Sequence, residues 1–122
     1  MTTIMHALII EDSVLISMMV EDHLAELGYT STAVATTQAE AVALAQEQVP
    51  DLITADDGLD EGSGIEAVRE ICAGQIIPTL FILGDPYRAQ GAPSHAHVIA
   101  KPFLFDTFRD GVARAVEQAR EA

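Results

Sequence analysis

The sequence predicts a doubly wound α/β domain, in which helices cover both faces of a parallel five-stranded sheet. Short apolar runs alternate along the chain with longer amphipathic segments. Most of these runs are continuously apolar, which is typical of strands that are buried on both faces. Strict alternation of strands and helices also favours parallel strands joined by right-handed crossovers.

The strands are predicted from the apolar runs. The buried runs lie at 7–10, 52–55, 77–82 and 98–100. The segment 30–35 is more polar, and we therefore expect it to form an edge strand.

The helices are predicted from apolar periodicity and from signals at their ends. The amphipathic segments lie near 14–27, 38–48, 64–73 and 104–121. Gly28 is typical of the position after a helix, and Thr37–Glu40 resembles a capping box. The last helix carries an apolar stripe for the sheet, formed by Phe105, Phe108, Val112, Val116 and Ala119. A fifth helix must come from 85–95, where two prolines and a glycine favour a single turn or an irregular segment.

Composition restricts the class of protein. The 122 residues suit one domain, 1–122, and the hydrophobic fraction of 49% is enough for a full core. Six basic and nineteen acidic residues leave a net charge of −13, which argues against binding to DNA or RNA. No signal peptide or membrane span is predicted, so we expect a soluble cytoplasmic protein.

The cysteine and the histidines show no pattern of metal ligands. Cys72 is the only cysteine, and we expect a small buried residue rather than a nucleophile. The spacing of the histidines does not fit a zinc site, and surface positions are expected for all of them, namely His6, His23, His95 and His97.

Charged side chains follow several of the predicted strands. Glu11 and Asp12 follow the first strand, Asp56 and Asp57 the third, and Lys101, the only lysine, the fifth. Each has an ordinary structural explanation: a helix cap for Asp12, a solvated turn for the aspartate pair, a snorkelling surface charge for Lys101. Ligand sites in such sheets, however, lie at the carboxyl ends of the strands, where these charges converge.

This combination predicts phosphoryl chemistry. Crowded carboxylates repel one another unless a cation compensates their charge, and oxygen ligands of this kind suit Mg²⁺. A neighbouring lysine adds a point charge for phosphate. An aspartate, a magnesium site and a lysine are the parts that phosphoryl transfer to a carboxylate requires.

Three motifs stand out at the ends of the predicted strands: "LIIEDS" at 8–13, "PDLITADDGLDEGSGIEAV" at 50–68 and "AKPF" at 100–103. With this spacing they resemble the motifs of the receiver domains of bacterial two-component response regulators. The resemblance covers nearly the whole chain. It implies a flavodoxin-like (βα)5 fold with strand order 2-1-3-4-5, and a Lys101–Pro102 peptide bond that is commonly cis. The "SGIEAV" turn and the compact segment before the fifth strand look similar to receivers of the general-stress-response type.

The resemblance also implies roles for individual residues. Asp56 would accept the phosphoryl group from a sensor histidine kinase or a histidine phosphotransfer protein, and the protein would modify only itself rather than act as an enzyme. Mg²⁺ would bind to Glu11, Asp12, Asp56 and the backbone carbonyl of Gly58. Lys101 and the backbone N–H of Gly84 would stabilise the phosphoryl oxygens. Asp57 is left without a defined role, because strand alternation should point its side chain away from the acceptor.

Two positions depart from the family pattern. Receivers usually carry threonine or serine at the end of the fourth strand and an aromatic residue in the fifth. Here Leu83 and Val98 occupy these switch positions. The sequence therefore leaves two alternatives open: an unphosphorylated pseudo-receiver that acts as a binding module, and a flavodoxin-shaped phosphohydrolase.

The first predicted helix has more apolar residues than one core-facing stripe requires. Leu15, Met18 and Met19 lie beside the stripe that should face the sheet. They indicate either a broad core contact or a docking surface for a helical partner.

Overall fold

The computed structural model describes residues 4–122, so the first three residues of the predicted domain lie outside the described residues. Five strands, four α-helices and one short 3₁₀ turn follow one another along this part of the chain. In order they are β1 (His6–Ile10), α1 (Val14–Glu26), β2 (Ser31–Ala35), α2 (Gln38–Glu47), β3 (Leu52–Ala55), α3 (Gly64–Ile71), β4 (Thr79–Leu83), the 3₁₀ turn (Pro86–Arg88), β5 (His97–Ala100) and α4 (Phe105–Glu121).

All five strands are parallel, and their order in the sheet is β2-β1-β3-β4-β5. The predicted flavodoxin-like fold and its strand order are thus confirmed. The half-buried β2 lies at one edge, as its more polar sequence predicted. Among the described helices, none combines the length and the hydrophobicity that a membrane span requires.

Alternation of side chains along each central strand supplies two separate cores. In β1, Leu8 and Ile10 pack with residues of α2 and α3 on one face of the sheet. Ala7 and Ile9 pack with residues of α1 and α4 on the other face. Because both faces are covered, every position of β1 is buried, which explains why this strand reads as a continuous apolar run.

The helix ends follow the predicted signals closely. Gly28 has a φ of +96°, a left-handed conformation that suits glycine at the end of α1. The Thr37 hydroxyl accepts a hydrogen bond from the Glu40 N–H (3.1 Å), and the Glu40 carboxylate accepts one from the Thr36 N–H (2.8 Å). The reciprocal cap therefore reaches one residue further back than the usual capping box.

Two elements differ from their predicted form. Strand β4 begins at Thr79 rather than at Ile77, because Pro78 between them has no N–H to contribute to the ladder. In α4 the buried face is centred on Phe108, Gly111 and Val112. A Cβ at Gly111 would lie 3.1 Å from side-chain atoms of β4 and β5, so this glycine brings the helix close to the sheet.

The prediction of surface positions is wrong for two histidines. His6 and His95 are 5% and 7% exposed. Each has a polar partner that makes burial tolerable: His6 Nδ1 lies 2.8 Å from the Ser31 hydroxyl, and His95 Nε2 lies 2.9 Å from the Ile77 carbonyl. A third, His23, is half-buried against Phe105 and neighbouring aromatic rings, and His97 is half-buried in β5.

Cys72 is a half-buried residue at the end of α3, and burial raises the pKa of its thiol. Its sulfur lies 3.9 Å from His95 Nε2. That nitrogen must donate its proton to the Ile77 carbonyl, so it is not available as a base for the thiol. The contact is therefore not a nucleophile and base pair.

Candidate functional site

The backbone ladder brings the carboxyl ends of β1, β3, β4 and β5 to one edge of the sheet. Ile10 is paired with Ala55, and Leu83 with Ala100. The ladder continues for one residue beyond the strands, because the Asp56 N–H donates to the Ile10 carbonyl at 2.9 Å. The Lys101 N–H donates to the Leu83 carbonyl at 2.8 Å in the same way. Backbone pairing thus fixes the backbone positions from which the acidic and basic side chains extend.

Lys101 lies between two of the acidic side chains. Its Nζ is 3.0 Å from Asp56 Oδ2 and 3.4 Å from Glu11 Oε1, and only 21% of its side chain is exposed. Burial alone would lower the pKa of Lys101, but the hydrogen bond to Asp56 and the negative charges of Glu11 and Asp56 outweigh it and raise the pKa. The lysine is therefore held as a cation, and it is not a snorkelling surface residue.

Glu11 is almost completely buried, at 5% exposed. Burial raises the pKa of its carboxyl, while the Ser13 N–H and the Lys101 charge act in the opposite direction. The Ser13 N–H donates to Glu11 Oε2 at 3.1 Å, and the Ser13 hydroxyl caps α1 by accepting from the Ile16 N–H. Since Ser13 provides the cap, the alternative explanation of Asp12 as the helix cap is wrong.

The side chains of Glu11, Asp12 and Asp56 form one group of potential metal ligands. Each offers a carboxylate oxygen, and these oxygens all lie within 4.8 Å of one another. An octahedral Mg²⁺ with bonds of about 2.1 Å separates its ligand oxygens by about 3 to 4 Å, so small adjustments suffice. The hard oxygen donors and the uncompensated negative charge both suit this ion. Gly58, whose carbonyl is the further predicted ligand, lines the adjoining cavity.

The two aspartates after β3 take different directions. The Asp57 N–H donates to Asp56 Oδ1 at 2.8 Å, which orients the acceptor carboxylate. Asp57 Oδ1 lies 3.5 Å from the N–H of Ile65 at the start of α3, and Asp57 is not among the three grouped carboxylates. Its side chain thus turns towards the start of α3.

Gly64 is required by the close approach of α3 to this loop. Its N–H donates to the Asp57 carbonyl at 3.0 Å. A Cβ at position 64 would overlap with the Asp56 carbonyl oxygen. The loop that carries the acceptor therefore packs directly against the backbone of α3.

A cavity of about 440 Å³ opens beside the carboxylates. Its lining residues are Asp56, Asp57, Gly58, Leu83, Gly84, Asp85, Arg88 and Lys101. Leu83, which is 2% exposed, contributes an apolar wall without a hydroxyl. Val98 is half-buried, and it packs on the core that faces α2 and α3.

Arg88 was not predicted as a site residue. It ends the 3₁₀ turn after β4, and its Nε lies 4.0 Å from Asp85 Oδ2. The available signal was an acidic and a basic residue three positions apart, directly after a buried strand.

Comparisons with known proteins agree on one family. Residues 7–112 match the family described as response regulator receiver domain. The chain is 42% identical over 100 residues to the phyllosphere-induced regulator PhyR of Methylorubrum extorquens, a match that covers 79% of this chain and 38% of the relative.

Solved structures of similar proteins lead to the same result. A mutant form of the anti-anti-sigma factor PhyR from Bartonella quintana superposes with a TM-score of 0.85 and 34% identity, covering 98% of this chain and 51% of that chain. The PhyR response regulator REC domain of Erythrobacter litoralis gives a TM-score of 0.83 and 33% identity, with 93% and 91% covered. The chain thus spans only about half, or less, of the full-length relatives that it matches.

Gly64 packs against the Asp56 carbonyl in the acceptor loop. We therefore predict that Gly64→Ala destabilises the protein by about 2 kcal/mol, since an added methyl group must displace this loop. Urea unfolding measures the difference. Gly74→Ala is the matched control, because a Cβ at that glycine meets nothing within 4 Å. Equal free energies of unfolding for the two variants would contradict the proposed packing of the loop.

We predict that removing the Lys101 cation lowers the free energy of unfolding in metal-free buffer. Lys101→Met leaves Glu11 and Asp56 without their shared cation, and we expect a loss of about 1–3 kcal/mol, reduced from the fully buried case by partial exposure. Adding Asp56→Asn removes one of the repelling charges and should restore part of the loss. If Lys101→Met unfolds at the same urea concentration as the wild type in EDTA, the ion group does not stabilise the fold.

Proposed function

The chain belongs to the response regulator receiver domain family, and from this premise we propose that Asp56 accepts a phosphoryl group from a phosphohistidine. The observation that carries the proposal is the position of the Asp56 carboxylate. It lies in hydrogen-bonding contact with Lys101 and in one group with Glu11 and Asp12. A receiver domain of this family is a signalling module, and its phosphorylated form acts through contacts with other proteins.

The chemistry follows from the contacts of Asp56. One carboxylate oxygen attacks phosphorus, so that an O–P bond forms while the N–P bond of phosphohistidine breaks, and the departing imidazole takes a proton from solvent. The Asp57 N–H and Lys101 Nζ orient the attacking carboxylate. As the new bond forms, Lys101 transfers its donation to a phosphoryl oxygen, with the backbone N–H of Gly84 as a second proposed donor.

Mg²⁺ is the proposed cofactor. Glu11, Asp12, Asp56 and the carbonyl of Gly58 would hold it, and it would supply positive charge that neutralises the phosphoryl oxygens. Three carboxylates with one lysine in contact otherwise repel an incoming phosphoryl group.

The two alternatives have less support. A pseudo-receiver would have no need to keep Lys101 in contact with Glu11 and Asp56 and close to Asp12, yet the structure brings these side chains together. A phosphohydrolase needs a substrate pocket with its own general acid. Asp57 and Asp85 line the cavity, but the Asp57 carboxylate faces the Ile65 N–H and the Asp85 carboxylate accepts from the Tyr87 N–H, so both are engaged as hydrogen-bond acceptors.

A protein is the proposed downstream partner. The net charge of −13 disfavours nucleic acid, and the Bartonella quintana relative is named as an anti-anti-sigma factor. That relative therefore supports a partner in the control of sigma factors. Since the chain covers only about half of that protein, this activity is itself part of the proposal.

An apolar surface on α1 supports docking of the phosphodonor. Leu15 and Met18 are 79% and 58% exposed, so the alternative of a broad core contact is wrong for them, and the neighbouring Val14 is 72% exposed. Met19 extends the surface at 37% exposed. The surface begins two residues after Asp12, at the entrance to the site, where a helix that carries the phosphohistidine must approach. Adaptable methionines suit such a helical partner.

Phosphorylation at Asp56 predicts a specific change in mass. Treatment with acetyl phosphate and Mg²⁺ should add one phosphoryl group to the wild type, and intact-mass spectrometry should find none on Asp56→Asn. Lys101→Met should be labelled at least tenfold more slowly, because the lysine supplies charge to the transferring group. Equal labelling of Asp56→Asn and the wild type would disprove the assignment.

If the phosphodonor protein docks on the α1 surface, changes to that surface should slow phosphoryl transfer from a protein donor only. The double variant Met18→Glu/Met19→Glu should accept phosphoryl groups from a histidine kinase or phosphotransfer protein about tenfold more slowly, because the apolar contact is lost. Labelling by acetyl phosphate should not change. The matched control is Val49→Glu/Ile76→Glu, which alters two exposed apolar residues at the opposite end of the sheet. Unchanged transfer to the α1 variant would place docking elsewhere.

A further inference from the structure

Arg88 lies on the wall of the same cavity as Asp56 and Lys101. The chemistry proposed above does not use it. Its side chain is 80% exposed, and its ion pair with Asp85, three residues earlier, is long at 4.0 Å. Pairs of this kind contribute little stability, so the guanidinium can leave Asp85 at low cost.

The charges around Asp56 show what such an arginine could do. A phosphoryl group adds about −1.5 to −2 charge at neutral pH. Within the described part of the chain, Lys101 is the basic side chain in contact with the carboxylates. Other arginines are engaged elsewhere: Arg69 contacts Glu66, and Arg109 contacts Asp106. Arg88 is the arginine that lines the cavity.

The side chain at position 83 gives the cavity wall no hydrogen-bond donor. Leu83 is buried at the end of β4 and presents only hydrocarbon. The oxygens of a phosphoryl group on Asp56 would therefore contact Lys101 but would face only hydrocarbon at Leu83. A guanidinium can fill this deficit, because its planar fork of N–H groups matches phosphate oxygens in pairs.

We propose that Arg88 is a positioning residue for the phosphorylated state: its guanidinium moves from Asp85 to the outer oxygens of the group on Asp56. The inference rests on the proposed phosphoacceptor role. Asp85 is arranged for this exchange, because its Oδ1 accepts from the Tyr87 N–H at 3.0 Å while Oδ2 faces Arg88. The 3₁₀ turn thus keeps its cap when the arginine departs. Arg88 supplies the donors that Leu83 cannot supply.

The test is the affinity for beryllium trifluoride, a phosphoryl mimic, measured in saturating Mg²⁺ by the change in amide NMR signals. Arg88→Gln should bind the mimic roughly five- to tenfold more weakly than the wild type, since a charge-assisted contact is lost. Arg69→Gln removes another exposed arginine that pairs with an acid three residues away, and it should bind like the wild type. The Arg88 side-chain Nε–H signal should shift on binding.

A lysine at position 88 separates direct contact from a general effect of charge. Arg88→Lys keeps the charge but loses the planar fork, so direct contact predicts an affinity between those of the wild type and Arg88→Gln. Arg88→Lys binding as tightly as the wild type would overturn the proposed contact, because charge alone would then explain the effect. Equal affinities for Arg88→Gln and Arg69→Gln would overturn it as well.

The same titration distinguishes this inference from the proposed function. If the wild type neither binds the mimic nor is labelled at Asp56, the phosphoacceptor role fails. If the wild type binds and is labelled while Arg88→Gln matches the Arg69→Gln control, only the role of Arg88 is disproved.

Discussion

The ion group around Lys101 is the constraint on which the rest of the site depends. One ammonium contacts Asp56 at 3.0 Å and Glu11 at 3.4 Å, while Asp12 adds a third carboxylate nearby. Like charges at this spacing repel one another, and partial burial strengthens the repulsion. The arrangement is tolerable because the lysine stays charged and because two backbone N–H groups, of Ser13 and Asp57, also donate to the carboxylates.

The parallel sheet makes this density of charge possible. Its strands end together, so residues that are up to ninety positions apart in the chain meet in hydrogen-bonding contact. The two cores hold the strands rigidly, and the approach of α3 at Gly64 supports the acceptor loop from behind. Strength of packing on both faces thus compensates for electrostatic repulsion at one edge. The negative charge that remains at this edge is what the proposed Mg²⁺ would compensate.

The departures from the usual pattern of the family lie in β4 and β5. Leu83 closes the end of β4 with hydrocarbon, and Val98 offers no ring for a switch. Between β4 and β5 the described chain forms only a three-residue 3₁₀ turn and irregular backbone. That short connection places Arg88 where it lines the cavity. The proposed role of Arg88 thus depends on the path of this segment.

The sequence by itself determined the strands, most helix ends and the acidic edge of the sheet. Continuous apolar runs can be buried only between two layers, and the charges of Glu11, Asp56 and Lys101 directly follow such runs. Only the tertiary structure decided which side chains meet across elements. The burial of His6 and His95 and the place of Arg88 depend on partners that are distant in the chain or on the path of a loop. Local patterns of apolar residues indicate whether a residue faces the core, because helices and strands repeat at a fixed period. A contact between two loops produces no such repeat in the sequence, so only the folded structure shows its geometry.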